Sequence, residues 1–173
     1  MPYTSHIHIR PLEIGDFDFA RELASKQPSF TIPPVYVLWL VLKIKGAISL
    51  VAEHNRDGLL GYLIAVPIEG PVDSMFVWQF AVSKGSRRLK ATMALLTEFR
   101  TIIEERSIRN IFFSTEPRSP VFRTLRSYAR KVFSSVPDVL NSLPPAVSAK
   151  ESEFLLNLTG IHRDGIPRTS SRG

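Results

Sequence analysis

The sequence predicts an α+β domain on a mixed sheet, and three observations carry that expectation. Short runs that alternate apolar and polar residues, or are apolar throughout, are separated by longer stretches whose apolar residues recur at helical spacing. Their order along the chain is β-α-α-β-β-β-α-β-α-β. With 173 residues and 44% hydrophobic content, the chain can bury one full core without metal or disulfide support.

The first element is His6 to Pro11, where Ile7 and Ile9 alternate with His6, His8 and Arg10 as in a half-buried strand. His6 and His8 therefore share a face. Two histidines so spaced can bind a metal, but no acidic or thiol partner stands near them, so the expectation is a solvated face and no metal. Asp16 is placed to cap a helix with apolar positions Phe17, Ala20, Leu23 and Ala24, which Pro28 stops. Pro33 and Pro34 start a second, strongly apolar helix that carries Tyr36, Trp39 and Leu40 and ends near Gly46.

Ala47 to Ala52 and Leu59 to Pro67 are β-rich runs on either side of a loop, Glu53 to Gly58, that contains the turn pair Asp57-Gly58. Together they predict a β-hairpin. Glu69-Gly70-Pro71 makes the next turn, and Met75 to Val82 has almost no alternation, as in a strand near a sheet centre. Leu89, Met93, Leu96, Phe99 and Ile103 then mark a helix ending near Ser107. A strand from Asn110 to Thr115 and a helix from about Ser119 to Lys131 follow. Ser134 to Ala149, with Pro137, Pro144 and Pro145, reads as loop, and Glu153 to Thr159 as the last strand. The tail 161–173 has too little apolar content to pack and is expected to be disordered, leaving one domain over 1–160.

Composition narrows the chemistry. The chain has no cysteine, which excludes disulfide frameworks, thiolate zinc sites and cysteine nucleophiles. The first residues, MPYTSHIHIR, lack the pattern of a secretory signal, and no apolar run approaches the roughly 18 residues of a membrane span, so a soluble cytoplasmic protein without membrane partners is expected. Twenty-two basic against 16 acidic residues give a net charge of +6, a field that draws anionic partners.

One cluster of that charge, Lys84, Arg87, Arg88 and Lys90, lies where the strand ending at Val82 runs through a short loop into a helix. First-turn amides have no partner within a helix and the dipole favours negative charge there, so the junction suits a phosphate-bearing ligand. A solvated first turn is the plain alternative. A second basic group, Arg118, Arg123, Arg126, Arg130 and Lys131, follows one helix and is compatible with nucleic acid, the least favoured partner because few aromatics are interleaved.

The element order, and the strand-loop-helix from Met75 to Leu96, resembles the GCN5-related N-acetyltransferases (GNAT) over nearly the whole chain to Gly160. Within them it is most similar to the diaminobutyrate acetyltransferases of ectoine synthesis. The residues that carry this are Phe76-Val77-Trp78-Gln79 with Ala81-Val82, the apolar helix from Tyr36 to Trp39, and the acidic pair Glu151 and Glu153 opening the last strand.

The resemblance implies a GNAT-like mixed central sheet with helices on both faces. It implies acetyl transfer from acetyl-CoA to a primary amine of a small metabolite such as a diamino acid, and it admits a homodimer. Phe80 and Val82 would meet the thioester, and Arg87, Arg88, Lys90, Ala91 and Thr92 the pyrophosphate, with Ser119 also on the cofactor. Trp78, Gln79, Glu151 and Glu153 would line the acceptor; Glu153 would take the amine proton, Trp78 would wall the pocket, and Tyr128 would serve the leaving thiolate.

This chain also departs from the family. The usual loop is Arg-Gly-x-Gly-x-Gly, where missing side chains let amides approach phosphate. Here Arg88, Lys90 and Thr92 replace the glycines. Ser119 stands where the subfamily has asparagine, Arg126 where it has an aromatic, and Ser29-Phe30-Thr31 lacks the acceptor carboxylate. A catalytically degenerate GNAT-fold binding module is therefore the alternative to the enzyme. Residue by residue, Trp78 also fits an ordinary core, Gln79 a self-satisfied amide, and Glu151 and Glu153 a solvated strand face.

Overall fold

The computed structural model describes residues 6–27, 30–69, 73–115, 120–133, 138–140 and 152–158. Seven strands, β1 (Ile7–Pro11), β2 (Ile48–His54), β3 (Gly58–Pro67), β4 (Ser74–Val82), β5 (Asn110–Thr115), β6 (Asp138–Leu140) and β7 (Ser152–Asn157), form one mixed sheet in the order β1-β2-β3-β4-β5-β7-β6. Four helices, α1 (Phe17–Ser25), α2 (Val35–Lys43), α3 (Arg88–Glu105) and α4 (Pro120–Phe133), join them. The fold class is α+β, as the periodicities predict.

The chain divides into two compact units, the first comprising Met1–Pro67 and Val77–Ile102. In it β1 pairs antiparallel with β2, and β2 with β3, through a hairpin whose tip is Asn55 to Asp57. The strands extend into what the sequence reads as a six-residue loop, because Glu53 and His54 still find partners in Leu59 and Gly58. Gly58 then takes a φ of 69°, a left-handed turn that a glycine enters without steric cost.

A bulge at Ala52/Glu53 shifts the register beside Gly61. On its other side Gly61 lies against β4, where an added Cβ would stand 2.7 Å from the Ala81 carbonyl oxygen and 3.1 Å from the Val82 Cα. Only a residue without a side chain admits that approach. The core of this unit gathers Leu12, Phe17, Leu23, Leu38, Val51, Tyr62, Ile64 and Ala81, so α1 and α2 contribute the apolar faces their spacing predicts.

Asp16 occupies the residue before α1 but does not cap it with its side chain. Its carboxylate instead accepts from both terminal nitrogens of Arg10, at 2.8 and 2.9 Å, and from the Glu13 amide at 2.8 Å. Bidentate charged hydrogen bonds are the stronger kind, and they hold this nearly buried carboxylate on Arg10 rather than over the first turn of α1. Arg10 Nε also donates to Glu53 at 2.9 Å, linking β1 to β2. His6 and His8 are exposed, in keeping with a solvated face.

The second unit comprises Ile68–Phe76 and Ile103–Gly173. Here β7 pairs antiparallel with both β5 and β6. The strand β6 lies within the segment that the sequence reads as loop. Three residues are too few to show a periodicity, and they are held by pairing with Phe154 and its neighbours. Phe154 is buried and stacks on Phe113 with ring centroids 5.3 Å apart. In α4, Ala129, Val132 and Phe133 are buried while Arg126, Arg130 and Lys131 are exposed. Pro28, Gly70, Pro71 and the tail 161–173 lie outside the described residues.

Candidate functional site

The central strand β4 places its neighbours Trp78 and Gln79 on opposite faces, because side chains alternate along a strand. Trp78 and Phe80 are half-buried, and Trp78 packs against the core of the first unit. Gln79 is buried and hydrogen-bonded at both ends of its amide. Its Oε1 accepts from the hydroxyl of Tyr62, itself sealed in the core, at 2.9 Å, and its Nε2 donates to the Thr31 carbonyl at 3.2 Å. Burial pushes the Tyr62 phenol above its ordinary value, so it remains a donor.

The Thr31 carbonyl belongs to the segment before α2. That segment is pinned again where Arg21 Nε donates to the Pro33 carbonyl at 3.1 Å. Gln79 thus acts on the loop's backbone.

At the end of β4 the Ser83 amide donates to the Leu60 carbonyl at 2.7 Å, so this amide faces β3. Successive residues of a strand turn their backbone polar groups to opposite edges, so the amides of Val82 and Phe80 face away from β3. The loop then turns at Gly85, whose φ of 146° strains any side-chain-bearing residue, and the Arg88 amide closes onto the Gly85 carbonyl at 3.2 Å. Helix α3 begins with the Ala91 amide on the Arg87 carbonyl at 2.9 Å.

Beneath this loop lies a cavity of about 200 Å³, lined by Leu60, Val82, Ser83, Gly85, Arg87, Arg88 and nearby residues. Arg88 and Lys90 are exposed, whereas Ala91 and Thr92 are buried. Arg88 lines the cavity and Lys90 does not.

Arg87 has a partner the sequence did not suggest. Its guanidinium donates to Asp57 at the tip of the β2-β3 hairpin, and the same Asp57 oxygen lies 3.1 Å from Nδ1 of the buried His54. The Arg56 amide donates to that nitrogen at 3.3 Å. The hairpin tip and the loop before α3 are therefore tied by one carboxylate.

Solved structures of other proteins share this arrangement of elements. Over 98% of this chain and 99% of the other, it superposes with a TM-score of 0.70 on the diaminobutyrate acetyltransferase of Paenibacillus lautus, solved with L-2,4-diaminobutyric acid and coenzyme A, at 20% identity. This is the GNAT fold. The ribosomal-protein-S18-alanine N-acetyltransferase of Escherichia coli matches at a TM-score of 0.65 and 14% identity over 88% of this chain and 93% of its own. The PaiA N-acetyltransferase of Thermoplasma acidophilum, solved with coenzyme A, matches at 0.65 and 13% over 88% and 99%. No family model and no curated protein sequence matches this chain.

On this GNAT fold the remaining sequence-derived candidates fall in the second unit. Glu153 sits in β7, its backbone in register with Ser114 of β5 and Leu140 of β6. Tyr128 is half-buried on α4. Glu151 and Ser119 lie outside the described residues. Asp57 and Tyr62 were missed as candidates for different reasons. Asp57 reads as an ordinary turn residue, and the only signal for Tyr62 is the general need of a buried phenol for a partner.

The first unit's residues fit the phosphates of a CoA-like ligand. The cavity lies under the loop at the start of α3, and Arg88 brings a cation to its rim.

Proposed function

We propose that this chain is an N-acetyltransferase that moves the acetyl group of acetyl-CoA to the primary amine of a small metabolite, with diamino acids the first class to test. The observation that carries the reading is the junction of β4 and α3 on a GNAT fold: a strand end, a glycine turn, a cavity and a cationic rim in succession. Acetyl-CoA supplies the acyl group as a thioester. The Phe80 and Val82 amides face away from β3 and hold its carbonyl, where a fixed donor stabilises developing negative charge. Arg88, with the α3 amides, takes the phosphates; Lys90 adds charge from solvent, and Ala91 and Thr92 pack the turn. Ser119 completes the cofactor contacts on the strength of the resemblance.

On the acceptor side, Trp78 walls the pocket and Gln79 fixes the 30–34 segment through the Thr31 carbonyl. The resemblance assigns Glu151 and Glu153 to the amine, Glu153 to its proton, and Tyr128 to the proton that the leaving thiolate needs. Isothermal titration with acetyl-CoA and CoA tests the reading. Micromolar binding is expected, and no heat at millimolar ligand overturns it.

A second reading is favoured by two observations: the loop arginine is already neutralised by Asp57, and side chains stand at the family's glycine positions. It is a GNAT-fold module that binds without turnover. CoA binding without thiol release from acetyl-CoA across a panel of diamino acids and polyamines would favour the module over the enzyme. The double substitution Arg88→Gly/Lys90→Gly separates the loop's roles. Affinity falls if the cations hold phosphate and rises if their bulk obstructs it.

A further inference from the structure

Helix α2 is apolar almost all round, VYVLWLVLK, yet only Leu38 and Val41 are buried in the core. Its opposite face, with flanking residues before and after the helix, leaves Ile32, Val35, Tyr36, Trp39, Leu40 and Ile44 between 39% and 66% exposed. Tyr36 and Trp39 stack at 5.8 Å between centroids, and the Lys43 ammonium sits 5.5 Å over the Trp39 ring. A soluble helix of this length is expected to show water a polar face. Six large apolar side chains along one stripe mark a surface that meets something.

The surrounding charge identifies the partner. Along the chain no acidic residue occurs between Glu22 and Glu53, and the exposed cations at the end of the stripe are Lys43 and Lys45, with Glu13 the carboxylate that shares a cavity with Ile44. Tryptophan and tyrosine beside aliphatics, edged by lysine, is a composition found where protein meets a bilayer interface with anionic headgroups. Nine residues extend only about 13 Å, too short to span the bilayer. The same length limits a second copy as the occupant. The stripe by itself offers roughly 500 Å², below the about 800 Å² per partner of a standard dimer. An anionic lipid surface complements Lys43 and Lys45.

We propose that the exposed face of α2 docks this protein peripherally on anionic lipid membranes, with Tyr36, Trp39 and Leu40 entering the interface and Lys43 and Lys45 meeting the headgroups. This stands apart from the acetyltransfer reading, since binding is measured without acetyl-CoA.

The test is co-sedimentation of the full chain with phosphatidylcholine vesicles containing phosphatidylglycerol, against pure phosphatidylcholine, with sedimentation equilibrium in parallel. Binding is expected to the anionic vesicles alone and to weaken with salt. Trp39→Ser should lower it about tenfold. Lys43→Glu/Lys45→Glu, at positions outside the buried core, should lower it roughly 25-fold, at about fivefold per lysine. Absence of binding, equal binding to neutral vesicles, or variants that bind like the parent would each overturn the proposal. So would a dimer that Trp39→Ser dissociates in a protein that ignores vesicles, which would assign the face to a second copy.

Discussion

Replacing Tyr62 by phenylalanine removes one oxygen from the middle of the first unit and orphans Gln79 Oε1, which has the Tyr62 hydroxyl as its donor at 2.9 Å. A buried acceptor stripped of its donor costs about 1.5 kcal/mol, which for a chain of this size lowers Tm by roughly 3–6 °C. Gln79→Leu breaks that bond and the 3.2 Å bond to the Thr31 carbonyl, and leaves the Tyr62 hydroxyl buried without an acceptor, at about 2.5 kcal/mol. In the double variant neither orphan remains. Its cost should stay near about 2.5 kcal/mol rather than the sum, a coupling of about 1.5 kcal/mol. Urea unfolding followed by circular dichroism measures all three. Costs that add to within about 0.3 kcal/mol would refute the claim that these side chains form one network.

Gly61→Ala should cost about 1–3 kcal/mol in the same assay, because the atoms its Cβ would meet include backbone atoms of β4 that cannot swing aside. The Arg10 guanidinium, and then the Glu13 amide, hold the Asp16 carboxyl below the usual range despite its burial. The stability it contributes is therefore complete above about pH 5 and is lost as pH falls through its lowered native value. Asp16→Asn should cost about 2 kcal/mol at neutral pH, since Arg10 is one-quarter exposed, and should flatten the acid limb of a Tm-against-pH profile. Asp57→Asn frees Arg87 and should tighten CoA about twofold to fivefold by titration calorimetry, a surface pair being worth at most about 1 kcal/mol. Unchanged affinity would show that Arg87 does not reach the ligand.

Elements of four or more residues were legible because their periodicities are strong. The alternation at Ile7 and Ile9, the apolar run of β4 and the helical spacing from Leu89 to Ile103 all lead to elements found within a few residues of those bounds. What escaped reading depends on partners distant in sequence. The three residues of β6 exist as a strand only through β7, and Asp16 trades a cap for an arginine six residues earlier. At the candidate site, the position and charge of the loop could be read because they are local. The Asp57–Arg87 tie spans 30 residues and joins two loops, and nothing in either sequence stretch announces the other.

That tie changes what the β2-β3 hairpin tip can tolerate. A tight surface turn is ordinarily where a chain accepts an inserted residue, an affinity tag or a permuted terminus with least harm. Here the tip carries the carboxylate that fixes the loop before α3, so a single added residue between His54 and Gly58 would displace Asp57 from Arg87 and act on the anion loop. For anyone labelling or splitting this protein, the turn is part of the site's frame, and attachment there would report on the loop before α3 instead of leaving it undisturbed.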